Sequence, residues 1–177
     1  MRPMSAAPGV FVIVVERNYA VVGTSAHHLL EAARMTSPLR ASTHHVGYTD
    51  WQIGWSFTPR EADARFVAGL ARVELVVTRT LPRWRPPEAA DRALVASWTK
   101  LVAAIARHEE GHVDIAVNGA RLLHEAIVAV SPTDVREDLD SNVASIAESV
   151  LAAVRSADLA YDEATRHGAL QGVSLPW

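Results

Sequence analysis

Cysteine is missing from all 177 residues. That excludes a disulfide framework, a thiolate zinc ligand and a cysteine nucleophile. Any metal site must use His, Asp or Glu, and any catalysis a metal, a carboxylate, a hydroxyl or an imidazole. Long apolar runs are missing too: no segment approaches the roughly 20 apolar residues of a membrane span. The β-branched stretch from Val10 to Val15 is too short for a secretory signal, and no small-residue cleavage site follows it. It reads as a first strand. The chain is therefore expected to be soluble, without a clear signal peptide, and its localisation is unknown. The net charge is −3 with no run of like charges. This leaves no electrostatic footprint for nucleic acid and no polybasic membrane patch. Repeats and low-complexity tracts are also absent.

What remains is a globular composition, 49% apolar and 21% charged. The length suits one domain spanning 1–177. Residues 9–82 carry the strand signals, and residues 86–167 are Ala-rich and helical. "VFVIVVERNYAVVG" suggests two short strands around a turn near Arg17-Asn18. "TSAHHLLEAARM" reads as a helix capped by Thr24 or Ser25, with Leu29, Leu30, Ala33 and Met35 inward. "TDWQIGWSFT" alternates Trp51, Ile53, Trp55 and Phe57 with polar or small residues, the mark of a half-buried strand. "ARVELVVTRTLP" predicts another strand, ended by Pro82. Pro86-Pro87 would open a long helix, with an apolar stripe from Leu94 and Trp98 to Ile127 and Val130. "SPTD" breaks it. A second stripe then runs from Val135 and Leu139 to Tyr161, with Gly168 as its stop and an irregular tail beyond. The predicted class is α+β: a small, mostly antiparallel sheet packed on two long helices, a zincin-like arrangement.

Within the first long helix lies "HEEGH", residues 108–112. Residues four apart on a helix are about 40° apart around the axis and about 6 Å along it. His108 and His112 can therefore aim at one ion. Glu109 is offset by about 100°, beside the ion, where it can deprotonate a zinc-bound water. This is the HExxH pattern of metalloproteases. Two imidazoles and a carboxylate on an apolar stripe are costly without a partner, and a metal is a good one. Two other readings compete with it. One is a chance match on an ordinary helix. The other is a di-iron bundle using Glu109 and His112. The second needs another Glu-x-x-His, and Glu163 and His167 are four apart, not three.

A zincin needs a third protein ligand. Asn118 stands where a metzincin has its third His. His124 is twelve residues past His112, about 18 Å along the same helix, out of reach. His27, His28, His44 and His45 lack ligand spacing and are assigned ordinary structural roles. The remaining cluster is "AYDEATRHGALQG", which holds Tyr161, Asp162, Thr165 and His167.

"HEEGH" followed some fifty residues later by "YDEATRHGALQG" resembles the bacterial family called domain of unknown function 922. "VVGTSAHHLLEAA", "YTDWQIGW" and "TLPRW" are similar to its upstream features, so the resemblance runs from about Ala20 to Gly172. The resemblance implies a secreted zinc-dependent protease, although this chain shows no evident signal peptide. A tight helical hairpin turning near Ser131 would set His112 level with residue 150 rather than 162–167. A break is therefore expected: either the first helix ends early around Asn118-Gly119 or, the preferred reading, the second begins near Asp140-Ser141-Asn142. His167, just before Gly168, is the preferred third ligand and Asp162 the alternative. Asp162 or Thr165 would otherwise orient a ligand imidazole. Tyr161 is expected either to donate to an oxyanion or to sit in the core, and Gln171 and Gly172 to form the wall of the site.

The expected function is thus hydrolysis of a peptide bond in an unknown substrate. Zn2+ would be held by His108, His112 and His167, with Glu109 as general base. The alternatives are a zinc-binding scaffold that does not turn over, or a hydrolase of a non-peptide amide.

Overall fold

The computed structural model describes residues 2–38 and 46–173. His44 and His45 lie outside the described residues. The chain forms β1 (Arg2–Ala7), β2 (Val10–Val21), α1 (Ala26–Thr36), β3 (Tyr48–Ala62), β4 (Arg65–Trp84), α2 (Arg92–Val128), α3 (Arg136–Thr165) and a 3₁₀ turn at Ala169–Gln171. The class is α+β. The sheet order is β1-β2-β4-β3. β1 pairs antiparallel with β2, from Arg2 opposite Val14 to Ala7 opposite Val10. β3 and β4 form a hairpin over a two-residue turn, Asp63-Ala64, both at positive φ as such turns require. β2 and β4 run the same way: Phe11 meets Arg72, and Glu16 meets Arg79. Two of the three pairings are therefore antiparallel.

Contacts divide the chain into two units. One comprises residues 1–14, 51–77 and 114–159. Its β4 segment buries Val73, Leu75 and Val77 and exposes Glu74 and Val76 between them, the period of a half-covered strand. Its helical segments bury Ala116, Ala120, Leu123, Ile127, Leu139 and Val143 at helical spacing. The other unit comprises residues 15–50, 78–113 and 160–177. Its core joins Val21, Leu29, Ala33, Val46, Trp84, Trp98, Leu101 and Ile105. Trp84 and Trp98 meet edge to face there, ring centroids 6.2 Å apart.

Several boundaries differ from the sequence reading. β2 passes straight through Arg17-Asn18, because those polar residues are the exposed part of a strand and not a turn. β1 precedes the strand predicted as first. Met35 is 74% exposed, since it lies about 120° around α1 from the buried Leu29–Ala33 face. Ser25 is the cap, its hydroxyl accepting the His28 N–H. Pro82 does not end β4; the strand continues to Trp84, past the stretch that β3, starting at Tyr48, can pair. α2 starts at Arg92, not at Pro86-Pro87, with the Asp91 carboxylate accepting the Ala93 N–H at 2.7 Å. The tail is not wholly irregular, because the 3₁₀ turn follows Gly168.

No new helix begins at Asp140-Ser141-Asn142; α3 is continuous from Arg136. The length mismatch is resolved elsewhere. The link after Val128 extends to Thr133, which exchanges two backbone hydrogen bonds with Phe66 of β4, at 2.7 and 3.0 Å. Gly119 faces Val154, so the residue level with Val128 is near 145. The first nine or so residues of α3, about 13 Å, therefore stand beyond the end of α2.

That helix contact generates a test. A Cβ at Gly119 would lie 2.3 Å from Val154 Cγ2. Ala gains about 1 kcal/mol over Gly in a helix, whereas overpacking costs about 1–3 kcal/mol. Gly119→Ala is expected to destabilise the chain in urea melts, and to become neutral or stabilising when Val154→Ala removes the clash. Equal effects in both backgrounds would show that the helices do not meet there.

Candidate metal centre

α2 carries His108, Glu109 and His112 into the second unit, all three buried. α3 brings Tyr161 and Asp162 to the same level. The approach is close because residue 111 is glycine: a Cβ there would lie 2.2 Å from Tyr161 Cζ. The Tyr161 ring stacks on His108, centroids 5.2 Å apart at 12°, and stands edge-on to His112 at 5.0 Å. Its hydroxyl donates to the His108 carbonyl at 3.1 Å, so an oxyanion role would first require that bond to break.

Asp162 Oδ1 lies 3.1 Å from His108 Nε2 and 3.2 Å from His112 Nε2. It is buried, and neither contact has good hydrogen-bond geometry, although Asp162 still pulls the His108 pKa up. His108, His112 and Asp162 form a group that can hold a metal ion, their donor atoms within 4.8 Å of one another. His167 is not in that group. It follows the last helical residue, and its Nδ1 lies 3.6 Å from the other Asp162 oxygen. Thr165 Oγ1 is 3.5 Å from His108 Nδ1, too long for a good hydrogen bond, and donates instead to the Tyr161 carbonyl at 2.8 Å. His108 Nδ1 is taken by Gln171 Oε1 at 3.0 Å. Burial lowers the His108 pKa, and the Gln171 contact opposes this.

Glu109 sits beside the group, not in it. Thr49 Oγ1 donates to its Oε2 at 2.8 Å. Gly47 lets the chain approach: a Cβ there would lie 2.3 Å from Ile105 Cγ2 and 3.1 Å from Glu109 Oε1. Burial raises the Glu109 pKa from 4.5 to about 7, against the lowering pull of Thr49. A cavity of about 20 Å³, room for one water, is lined by His108, Glu109, His167, Val46, Gly47, Ile105 and Val173. The adjacent Glu110 faces outward, where with Glu16 it clasps the Arg79 guanidinium.

Neither His27 nor His124 joins the His108–His112–Asp162 group. His27 pairs with Glu31 on the surface, and the ring of His124 fills the space above Gly9. Thr49, Gly47 and Arg79 carried no site signal in sequence. Gln171 was read only as wall.

Residues 16–168 match a family model described as bacterial protein of unknown function, DUF922. The chain belongs to that family. No curated protein and no solved structure matches this DUF922 chain. Among its described residues, no helix is long and apolar enough to cross a membrane.

The raised Glu109 pKa sets a pH signature for the metal-free protein. The folded state holds this proton more tightly than the unfolded state. Its contribution is complete below about 4.5 and is lost as pH rises to about 7. The shift corresponds to about 3 kcal/mol. His108, with its pKa lowered, acts in the opposite sense, so the comparison needed is wild type against Glu109→Gln with chelator present. The stability gained by Glu109→Gln should grow with pH across that window. A pH-independent difference would mean Glu109 is not buried in this way.

Proposed function

We propose that this chain is a zinc-dependent metallopeptidase whose metal is held by His108, His112 and Asp162. The observation that carries this is Asp162 Oδ1. It is buried, unbonded and within 3.2 Å of two imidazole nitrogens. With the His108 proton on Nδ1, facing Gln171 Oε1 at 3.0 Å, its Nε2 presents a lone pair to a carboxylate oxygen. Lone pairs in that arrangement repel unless a cation lies between them. Ligand bonds of about 2.0 Å in a tetrahedron put neighbouring donors about 3.3 Å apart, close to the 3.1 and 3.2 Å between Asp162 Oδ1 and the two imidazoles. Two imidazoles, one carboxylate and an open fourth position make a catalytic zinc set. His167, the third ligand expected from sequence, becomes a neighbour of the carboxylate.

When bound, zinc supplies Lewis acidity and a lowered pKa for water. Glu109 then acts as the base. Its pKa near 7 suits taking a proton from a water in the adjoining cavity and returning it to the leaving nitrogen. A scaffold site needs no such buried carboxylate, which favours the enzyme over the zinc-binding scaffold.

Elemental analysis of protein prepared without chelator should find about one zinc per chain. His108→Ala, His112→Ala or Asp162→Ala should remove it, and His167→Ala should weaken it less than Asp162→Asn does. An ordering with His167 ahead would restore His167 as the ligand, and a metal-free wild type would end the proposal.

Glu109→Gln separates enzyme from scaffold. It should retain zinc and lose hydrolysis of a broad peptide library by at least about a hundredfold. A wild type inert on peptides and on simple amides would leave the scaffold, and activity on amides alone the non-peptide hydrolase.

A further inference from the structure

Gln171 is bound into a closed set of directional hydrogen bonds. Its Nε2 donates to Tyr161 Oη at 3.0 Å, and Tyr161 Oη donates to the His108 carbonyl at 3.1 Å. That leaves Gln171 Oε1 facing His108 Nδ1 at 3.0 Å. Turning the amide over would place an NH2 group against Nδ1 and an oxygen against the hydroxyl. With Tyr161 Oη donating to the His108 carbonyl, the amide is an acceptor toward His108; Tyr161 Oη also lies 3.4 Å from Gln171 Oε1. An imidazole matched to that acceptor carries its proton on Nδ1 and turns its Nε2 lone pair toward Asp162 Oδ1, 3.1 Å away.

The backbone is shaped to deliver this side chain. Arg166, His167 and Gly168 follow α3 at φ 50, 51 and 80. Two of them bear side chains in the left-handed region, which is a cost tolerated where the surroundings enforce it. The turn is held by His167 N–H on the Asp162 carbonyl at 2.8 Å and by Val173 N–H on the Gly168 carbonyl at 3.0 Å. It folds the chain back onto α2. A Cβ at Gly168 would lie 3.0 Å from His108 Cγ, and one at Gly172 3.6 Å from the Ala104 Cβ.

We infer that Gln171 is a positioning residue for the metal centre, holding His108 in the Nδ1–H tautomer so that Nε2 is presented for ligation. Outer partners of this kind are worth 10- to 100-fold in metal affinity. The inference rests on the metal-centre reading for its consequence, but not for the tautomer itself.

Two measurements on the full chain keep these apart. Long-range ¹H–¹⁵N NMR of the metal-free protein near neutral pH should show His108 protonated at Nδ1. Gln171→Met, similar in length but unable to accept from an imidazole N–H in this way, should release the ring to a mixture of tautomers. Zinc titration against a competing chelator should then show roughly 10- to 100-fold weaker binding for Gln171→Met, with the fold retained by circular dichroism. Gln171→Glu keeps an acceptor and should recover most of the affinity. A wild-type ring protonated at Nε2, or equal zinc affinity in wild type and Gln171→Met, overturns the role of Gln171. A wild type that binds no zinc while its tautomer still depends on Gln171 overturns the metal reading and leaves the positioning intact.

Discussion

Gly111 has no side chain, and the Tyr161 ring occupies the space that a Cβ would need. The rest of the site depends on that contact. It brings α3 near enough for Asp162, the next residue, to stand within hydrogen-bonding distance of both imidazoles. It also sets an aromatic face against His108 and an edge against His112, which limits how either ring can turn. HExxH requires only two histidines and a glutamate for its chemistry. In "HEEGH" the fourth position is set by packing, because any larger residue would push the carboxylate away.

The two adjacent glutamates show how a helix sorts identical side chains. Glu110 points to solvent and shares Arg79 with Glu16, an ion-pair network on a half-open surface. Glu109, about 100° around the helix, is buried against Thr49 and Gly47. Desolvation there costs the charged form more than one hydroxyl donor returns, so the pKa rises to about 7. Glu109 thus stands outside the group formed by His108, His112 and Asp162 and holds its proton to about pH 7.

The parts legible in sequence were the local ones. His108, Glu109 and His112 share one region of a helix by periodicity alone, and the apolar stripes placed α2 and α3 within a few residues. The α+β class followed from strand signals preceding helical ones. That Asp162, and not His167, stands within reach of both imidazoles was not local information. It depends on the link after Val128 reaching Phe66 before α3 begins, and a backbone pairing over so long a separation leaves no periodic trace. The partners Thr49 and Gln171 were hidden for the same reason: they meet α2 only through the fold. Polar strand residues at Arg17-Asn18 imitated a turn, and Pro82 imitated a strand end, because exposure and edge position cannot be read from composition.

The end of α3 joins these strands of argument. A helix continued past Thr165 would not return Gln171 to His108 Nδ1. The left-handed residues Arg166 and His167 instead turn the backbone sharply. Gly168 then passes over the His108 ring where no side chain fits. Gln171 arrives on the far side of the imidazole from Asp162, so one ring is gripped at both nitrogens, by a neutral acceptor on one side and a carboxylate on the other. The same turn places His167 beside the outer oxygen of Asp162 and along the cavity that Glu109 lines. Backbone strain, a missing side chain and a fixed amide thus serve one geometric end. They hold an imidazole, a neighbouring carboxylate and a buried glutamate in register, which neither helix could do alone.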